Sequence, residues 1–266
     1  MKVKNKIALI TGGGQGIGEG IALSLARNGS HIVIADLTSQ NTGTIQDKIS
    51  KIGRQVMSFS MDVTNQSSID NMIQKTVDNF GKIDILINNA GVFGGPQWHQ
   101  RGNWNESDWN EVFAINVRGL SRVTESVSVH MKDRKYGKIV NIASGAARKG
   151  TQLNPPYAAS KAAVINLTQA WSLKLAPDNI NVNAICPGHL WTPLWEKIAH
   201  KRIQEPDNAN FSSPRQFFDQ KIISTIPLNR EQTPEDIGNL ACFLASDYAK
   251  NITGQTINVN GGAHMS

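Results

Sequence analysis

The sequence has little of several features that mark other classes of protein. Its 266 residues include two cysteines, Cys186 and Cys242, which are too few for a disulfide framework and lack the spacing of metal ligands. No apolar run approaches the roughly 20 residues that a membrane helix requires. We therefore expect free thiols, no metal and no membrane partner.

Positive charge is present but not concentrated. The net charge is +6, yet the basic residues are scattered and only Lys197 to Arg202 is locally dense, so no nucleic-acid partner is indicated. The basic start, Met1 to Lys6, is like that of a signal peptide. The apolar stretch behind it, however, runs only from Ile7 to Ile10 before glycines intervene. This pattern predicts a first strand and a cytoplasmic protein.

Short runs rich in Ile and Val alternate with longer amphipathic stretches along the chain. This alternation predicts an α/β fold of the Rossmann type, with one doubly wound, parallel, seven-stranded sheet and helices on both faces. No linker or repeat divides the chain, so residues 1–266 are expected to form a single domain. The predicted strands are Lys6 to Thr11, His31 to Asp36, Gln55 to Met61, Ile83 to Asn88, Gly137 to Ala143, Ile180 to Cys186 and Gln255 to Val259. The predicted helices include Gly16 to Arg27, Ser68 to Phe80, Glu106 to Lys132, Tyr157 to Ala176 and Pro234 to Ala245.

The first predicted strand leads directly into a glycine-rich turn, Thr11 to Gly18, and then into a helix. In a dinucleotide-binding turn, Gly12 would permit the tight bend, Gly16 would let the backbone approach the pyrophosphate, and Gly18 would let helix pack on strand. The free amides at the helix N-terminus would face the phosphates. A glycine-rich turn without any ligand has the same pattern, because isolated glycine motifs are weak signals.

Asp36, at the end of the second predicted strand, adds to the signal of the turn. It follows Gly18 by 18 residues, close to the interval at which an acidic residue accepts hydrogen bonds from the adenosine ribose. Its carboxylate would repel a 2′-phosphate, and Gln15, Leu37 and Thr38 offer no basic group to attract one. The sequence therefore favours NAD over NADP. The alternative is that Asp36 merely opens a loop, where aspartate is common.

Further motifs follow in order along the chain. They are TGGGQGIG at Thr11 to Gly18, the pair Asp62 and Val63, NNAG at Asn88 to Gly91, YAASK at Tyr157 to Lys161, and Pro187 and Gly188 followed by Leu190 and Thr192. With these motifs the sequence resembles the main branch of the short-chain dehydrogenase/reductase family over essentially its whole length. The resemblance implies a set of cofactor-binding residues: Gly12, Gln15, Gly16, Ile17, Gly18, Asp36, Leu37, Asp62, Val63, Asn89, Ala90, Gly91, Tyr157, Lys161, Pro187, Gly188, Leu190 and Thr192.

The family's catalytic tetrad carries over as Asn116, Ser144, Tyr157 and Lys161, each on a matching motif position. The chain departs from the commoner pattern at Ala143, which stands where a first serine is usual. Ser144 keeps the second serine, 13 residues before Tyr157. By resemblance, the backbone of Asn116 helps to hold a water that links Lys161 to solvent.

These residue types suit the oxidation of a secondary alcohol, which needs a base because a nicotinamide accepts only the hydride. Tyr157 is a poor base at the usual phenol pKa of about 10. Lys161 lies one helical turn later, where its ammonium would favour phenolate. Ser144 follows the fifth predicted strand and would polarise the substrate oxygen. Taken singly, Tyr157 and Lys161 also fit an ordinary amphipathic helix, and the cofactor motifs favour the catalytic interpretation.

Two irregular stretches, Phe93 to Asn105 and Leu190 to Ile226, are expected to decide the substrate. The first carries Trp98 and fits either a pocket wall or a surface or subunit-contact loop. The second corresponds to the family's lid, and its Trp191 and Trp195 fit either a pocket rim or simple lid packing. The candidate substrate residues are Ser144, Trp98, Trp191 and Trp195.

The leading hypothesis is an NAD-dependent dehydrogenase that interconverts a secondary alcohol, in a polyol, sugar or hydroxy acid, and its ketone. The basic run Lys197 to Arg202 would suit an anionic substrate, but it would equally form a solvated helix face. Two alternatives are an NADPH-dependent 3-oxoacyl thioester reductase, opposed by Asp36 and Gln15, and a dinucleotide-binding regulatory protein, opposed by the intact tetrad. The resemblance also implies a homo-oligomer, a tetramer or dimer, formed through Glu106 to Lys132 and Tyr157 to Ala176.

Overall fold

A seven-stranded parallel sheet forms the centre of the protein. The computed structural model describes residues 3–38, 42–151 and 153–265, and all elements below lie within those ranges. The strands are Ile7–Thr11 (β1), His31–Asp36 (β2), Val56–Ser60 (β3), Ile85–Asn88 (β4), Gly137–Ile142 (β5), Ile180–Pro187 (β6) and Thr256–Val259 (β7). Their order is β3-β2-β1-β4-β5-β6-β7, and neighbouring strands are parallel. The predicted fold class is confirmed, and the predicted strand ends differ from the observed ones by at most two residues.

Helices cover both faces of the sheet. Those in the described ranges are Gly16–Arg27 (α1), Thr42–Lys51 (α2), Gln66–Phe80 (α3), Glu106–Phe113 (α4), Leu120–Lys132 (α5), Pro155–Leu175 (α6), Pro193–Arg202 (α7), Pro214–Phe217 (α8) and Pro234–Leu244 (α9). On one face, Ile21 of α1 and Ile237 of α9 share a core with the strands. On the other, Ile69 of α3 and Val127 of α5 do so. Among the described residues, no helix is both long and apolar enough to cross a membrane.

Side-chain caps decide where two functionally placed helices begin. The Asn154 Oδ1 atom accepts a hydrogen bond from the Tyr157 backbone N at 3.0 Å. Prolines occupy the first two helical positions, so α6 begins at Pro155 rather than at Tyr157 as predicted. The predicted start of α9 is confirmed by a capping box between Thr233 and Asp236.

The predicted helix Glu106 to Lys132 needs a correction. It is helical throughout, but the segment Ala114–Gly119 between α4 and α5 is π-helical. Such a segment widens the helix and interrupts its i to i−4 hydrogen bonds, and it is frequent at functional sites. Hydrophobic periodicity cannot reveal it, because one displaced turn barely changes the pattern of apolar residues. Asn116 lies within this segment.

The order of the strands reverses direction at β1, whose two neighbours in the sheet are β2 and β4. In open parallel sheets, ligands bind outside the carboxyl ends of the strands at such a switch point. The turns that follow β1 and β4 border this crevice, and the segments that follow β5 and β6 continue along the same edge. The candidate site is therefore sought at this edge.

Candidate active site

The turn after β1 needs glycine at three positions. Gly12 and Gly16 have positive φ angles of 61° and 56°, a region that costs other residues energy. A Cβ atom on Gly18 would lie 2.1 Å from the Gly12 carbonyl oxygen. Gln15 is exposed at the start of α1, and Ile17 packs against the core. The geometry fits the tight bend and the close helix packing that the sequence predicts.

Asp36 ends β2 directly beside this turn. Its Oδ2 atom accepts a hydrogen bond of 2.8 Å from the Gly14 backbone N, and a Cβ atom on Gly14 would lie 2.7 Å from the same oxygen. Leu37, the next residue, is 66% exposed. These residues fit the adenosine end of a nicotinamide dinucleotide, because a fixed carboxylate accepts ribose hydroxyls and the glycines leave room for phosphates.

Asn89, predicted to bind the cofactor, also holds the glycine turn. Its Nδ2 atom donates to the carbonyl oxygens of Thr11 and Gly12 at 3.0 and 2.8 Å. The Thr11 hydroxyl accepts hydrogen bonds from the backbone N of Asn89 and of Ala90, both at 3.1 Å. The turn after β4 is thus bonded to the turn after β1. This structural task could not be read from the spacing of the motif.

Asp62 and Val63 follow β3 on the same edge of the sheet. The Asp62 Oδ1 atom accepts hydrogen bonds from the backbone N and the hydroxyl of Thr64 at 2.7 and 2.8 Å. Val63 is buried, and its Cγ2 atom would lie 2.7 Å from a Cβ on Gly119. Both residues, which the family resemblance implies are cofactor-binding, therefore hold fixed positions at this edge.

The segment after β6 closes over the glycine turn. A Cβ on Gly188 would lie 2.8 Å from the Asn260 Cα atom, which is backbone and cannot move aside cheaply, so glycine is favoured after Pro187. Leu190 is buried. The Thr192 Cβ atom lies 3.5 Å from the position of a Cβ on Gly16. The structure thus brings together two predicted cofactor-binding segments that are far apart in the sequence.

Three of the four predicted catalytic side chains come from two neighbouring elements. Ser144 follows β5, while Tyr157 and Lys161 lie one turn apart on α6. The Lys161 Nζ atom donates to the Ile142 carbonyl oxygen at 2.8 Å and lies 5.8 Å from the centre of the Tyr157 ring. Ser144 is close enough to bond to the Tyr157 phenol. Gly91, after β4, borders the cluster, since a Cβ there would lie 3.3 Å from Lys161 Nζ.

Burial dominates the protonation of this cluster. It raises the pKa of Tyr157 above its usual value, although the hydrogen bond with Ser144 acts in the opposite direction. Burial lowers the pKa of Lys161 to about 8. In the cofactor-free protein burial thus disfavours the charged form of both groups, and the expectation that the Lys161 ammonium favours phenolate stays a prediction.

Asn116 is buried, and its side chain is fully used within the protein. Its Oδ1 atom accepts a hydrogen bond from the Val92 backbone N at 2.8 Å. Its Nδ2 atom donates to the Val92 carbonyl oxygen and to the Ser160 hydroxyl, both at 3.0 Å. The side chain thus ties the segment after β4 to α6. The water link to Lys161 that the family resemblance implies stays a prediction and would fall to the Asn116 backbone.

Phe93, rather than Trp98, makes the ring contact with Tyr157. The centres of the Phe93 and Tyr157 rings are 4.9 Å apart. Trp98 is 8% exposed and packs against Phe93 at 4.8 Å and Trp104 at 6.0 Å. Trp98 and Trp104 of this loop therefore form a small aromatic cluster with Phe93. Sequence reasoning missed Phe93 because a single aromatic residue at the start of a loop carries no periodic signal.

The two lid tryptophans have different surroundings. Both rings pack on Phe218, at 5.2 Å for Trp191 and 5.3 Å for Trp195. Trp191 also borders the cleft at the glycine turn, whereas Trp195 meets the ring of His189 edge to face at 4.8 Å. Trp191 is thus part of the segment after β6, and Trp195 of α7 contacts that segment through His189.

Part of the basic run Lys197 to Arg202 is used within the protein. The Lys201 Nζ atom donates to the Arg101 carbonyl oxygen at 2.7 Å. Arg202 forms an ion pair with Glu205 at 3.3 Å. Local structure therefore accounts for two of these charges without an anionic substrate.

Known proteins resemble this chain over nearly its full length. A family model described as enoyl-(acyl carrier protein) reductase, adh_short_C2, matches residues 12–264. Galactitol 2-dehydrogenase of Agrobacterium fabrum is 38% identical over 100% of both chains. A 3-oxoacyl-[acyl-carrier-protein] reductase of Thermotoga maritima is 33% identical over 98% of this chain and 99% of its own.

Solved structures of dehydrogenases and reductases have the same fold as this chain. The crystal structure of an NAD⁺-bound xylitol dehydrogenase matches with a TM-score of 0.89 at 33% identity, over 98% of this chain and 100% of that one. A levodione reductase matches with a TM-score of 0.88 at 28% identity, over 97% of each chain. The chain belongs to the short-chain dehydrogenase/reductase family of oxidoreductases, whose members bind a nicotinamide dinucleotide.

Proposed function

We propose that the protein is an NAD-dependent dehydrogenase that interconverts a secondary alcohol of a polyol or sugar and its ketone, with Tyr157 as the acid and base. One observation carries the proposal: the two halves of such a site open on the same edge of the sheet. Asp36, bonded to Gly14, lies at the switch point, and Tyr157 lies with Lys161 beside the end of β5. A cofactor held at the first half would extend toward the second.

The preference for NAD rests on charge at the adenosine end of the cleft. The Asp36 carboxylate would repel a 2′-phosphate. Of the basic residues that border this cleft, Lys48 is paired with Glu19 at 2.8 Å and Arg27 with Glu235 at 2.9 Å. The NAD⁺-bound xylitol dehydrogenase supports the cofactor, and it and galactitol 2-dehydrogenase support the polyol class.

The chemistry follows from the residues around the reacting oxygen. NAD⁺, when bound, supplies the acceptor for the hydride that leaves the carbinol carbon. Ser144 donates a hydrogen bond to the substrate oxygen, and the phenolate of Tyr157 takes the hydroxyl proton as the C=O bond forms. The Lys161 ammonium stabilises that phenolate, whose formation burial opposes. The proton then leaves Tyr157 for solvent before the next turnover.

A second candidate is an NADPH-dependent 3-oxoacyl thioester reductase, which the Thermotoga maritima relative favours. The position of Asp36 opposes it, because a carboxylate at the ribose disfavours a phosphorylated cofactor. Clear preference for NADPH, with turnover of a 3-oxoacyl thioester, would establish this alternative.

The test is a substrate screen that follows the absorbance of reduced nicotinamide. Purified protein is assayed with NAD⁺ and NADP⁺ against polyols, sugars, hydroxy acids and hydroxysulfonates, and with NADPH against a 3-oxoacyl thioester. We expect turnover of at least one polyol with NAD⁺, and a loss of about 10³-fold in kcat for Tyr157→Phe. Cofactor binding without turnover of any alcohol would overturn the proposal and favour a dinucleotide-binding regulatory protein.

We further propose that the protein is a homo-oligomer, a tetramer or dimer, that acts in the cytoplasm. Trp109 of α4, Val129 of α5 and Leu173 of α6 are 42%, 55% and 79% exposed, which places apolar surface on the helices that the family resemblance implicates. The thiols of Cys186 and Cys242 are free and buried, as suits a reducing compartment. Light scattering that gave the mass of a single chain would contradict the oligomer.

A further inference from the structure

The segment that carries His189 lies beside the segment that carries Ser144, since the Pro187 carbonyl oxygen is 3.4 Å from the position of a Cβ on Gly145. His189 follows β6, whereas Ser144 and Gly145 follow β5, the neighbouring parallel strand. His264 lies near both segments. Its Cδ2 atom is 3.1 Å from the position of a Cβ on Gly145, and its charge acts on His189. His189 therefore belongs to the wall of the site on the side of β6.

The position of this ring is fixed from two directions. The His189 backbone N donates to the Gln232 Oε1 atom at 3.1 Å. The ring packs edge to face against Trp195 of the lid, with centres 4.8 Å apart. A side chain held by both its backbone and its ring is preorganised to meet a ligand group at one place.

The ring nitrogens themselves are unpaired. Within residues 3–38, 42–151 and 153–265, no side chain or backbone group bonds to them, and the residue is half-buried. Burial, together with the positive charges of His264 and Lys149, lowers the pKa of His189 to about 4. The imidazole is therefore neutral at pH 7, with one N–H donor and one acceptor nitrogen.

We infer that His189 is a specificity-determining residue that hydrogen-bonds to a second hydroxyl of the substrate, on the part of the molecule beyond the carbon that reacts. The inference rests on the proposed function, because Ser144 and Tyr157 must hold the reacting oxygen. A hydroxyl both donates and accepts, so it complements either nitrogen of the ring. A mono-alcohol would leave the imidazole unpaired in a poorly solvated place, and the site would discriminate against it.

The experiment compares two substrates in two variants. His189→Phe keeps a ring against Trp195 but has no polar atom, and His189→Asn keeps a donor and an acceptor. Steady-state kcat and KM are measured with NAD⁺ for the best polyol of the screen and for a secondary mono-alcohol. His200→Phe, at an exposed position on α7, is the matched control. Thermal unfolding and NAD⁺ affinity are measured for every variant.

We expect His189→Phe to lower kcat/KM for the polyol about tenfold to a hundredfold and for the mono-alcohol by less than about threefold. His189→Asn should recover part of the polyol activity, and His200→Phe should match the parent. Equal losses on both substrates, or no loss on the polyol, would overturn the inference and leave the proposed function standing. A parent protein that oxidises no alcohol would instead overturn the proposed function.

Discussion

The Lys201 Nζ atom lies 2.7 Å from the backbone carbonyl oxygen of Arg101, and this bond joins the lid helix α7 to the loop after β4. The same ammonium lies 5.1 Å from the centre of the Trp104 ring and 5.8 Å from that of Trp98, within the range of a cation–π interaction. Because Phe93, in the same aromatic cluster, contacts Tyr157, one lysine connects the lid to the surroundings of the predicted base.

Loss of this lysine should weaken the attachment of the lid helix and leave the chemical step unchanged. Lys201→Met keeps the apolar stem but removes the charge-assisted hydrogen bond, so we expect KM for the substrate to rise roughly fivefold, about 1 kcal/mol. The kcat should stay within about a factor of two. Lys197→Met, at an exposed position of the same helix, serves as the control. A large fall in kcat with unchanged KM would mean that Lys201 acts on the reacting groups instead.

Replacement of Asp36 should change the cofactor. In Asp36→Ser the ribose loses a charged acceptor and the 2′-phosphate meets no repulsion, so kcat/KM with NAD⁺ should fall about tenfold to a hundredfold. Turnover with NADP⁺ should rise relative to the parent. Asp47→Ser, on the exposed side of α2, controls for the loss of one negative charge. If Asp36→Ser keeps the parent's ratio of activity with NAD⁺ to activity with NADP⁺, Asp36 does not discriminate between the two cofactors.

The parts of the site that could be predicted are those encoded within one βαβ unit or one helical turn. Gly12 and Asp36 are linked by chain geometry, because a strand, a helix and a second strand bring the end of β2 beside the turn after β1. Tyr157 and Lys161 are linked by the pitch of a helix. Such short-range relations fix the number of residues between the partners, so they can be recognised in the sequence.

The parts that could not be predicted depend on contacts between distant loops. Lys201 and Arg101 are 100 residues apart in the chain, and neither lies in a pattern that indicates the other. The polar network beneath the site is similar: Asn141 donates to the Thr168 hydroxyl at 2.9 Å and accepts from Asn88 at 2.9 Å. Asn88 stands in the NNAG motif, but nothing in the sequence links it to Asn141 or Thr168. The pairing of β4 with β5 and the packing of α6 on the sheet bring the three residues together.

The low pKa of Lys161 makes a prediction about stability. Because the folded pKa is about 8 and the unfolded one is near 10.5, the folded state carries the full penalty of a buried ammonium below pH 8. The penalty decreases as pH rises from about 8 to 10.5, where the unfolded state releases its proton. Lys161→Met should therefore raise the free energy of unfolding of the cofactor-free protein by on the order of 2 kcal/mol at pH 7.

Urea unfolding of the parent and of Lys161→Met at several pH values measures this difference. The gain in the variant should shrink above pH 8, while its dehydrogenase activity is lost at every pH. A constant difference between pH 7 and 10 would show that Lys161 is not forced to carry its charge in the folded state. Lys174→Met, on the exposed part of α6, is the control for the loss of a lysine from the same helix.

Two glycines allow a matched test of the packing that supports the cofactor edge. In α9, a Cβ on Gly238 would lie 2.2 Å from the Ser24 hydroxyl oxygen and 2.9 Å from the Gly20 carbonyl oxygen of α1. Since backbone cannot move aside cheaply, Gly238→Ala should lower the free energy of unfolding by about 2 kcal/mol or more. In α2, a Cβ on Gly43 would meet nothing within 4 Å. Gly43→Ala should therefore raise the free energy of unfolding by about 0.5 kcal/mol through its better helix propensity. Urea unfolding of both variants measures whether each change lowers or raises the free energy of unfolding. The same change in both variants would mean that α1 and α9 are not packed this closely.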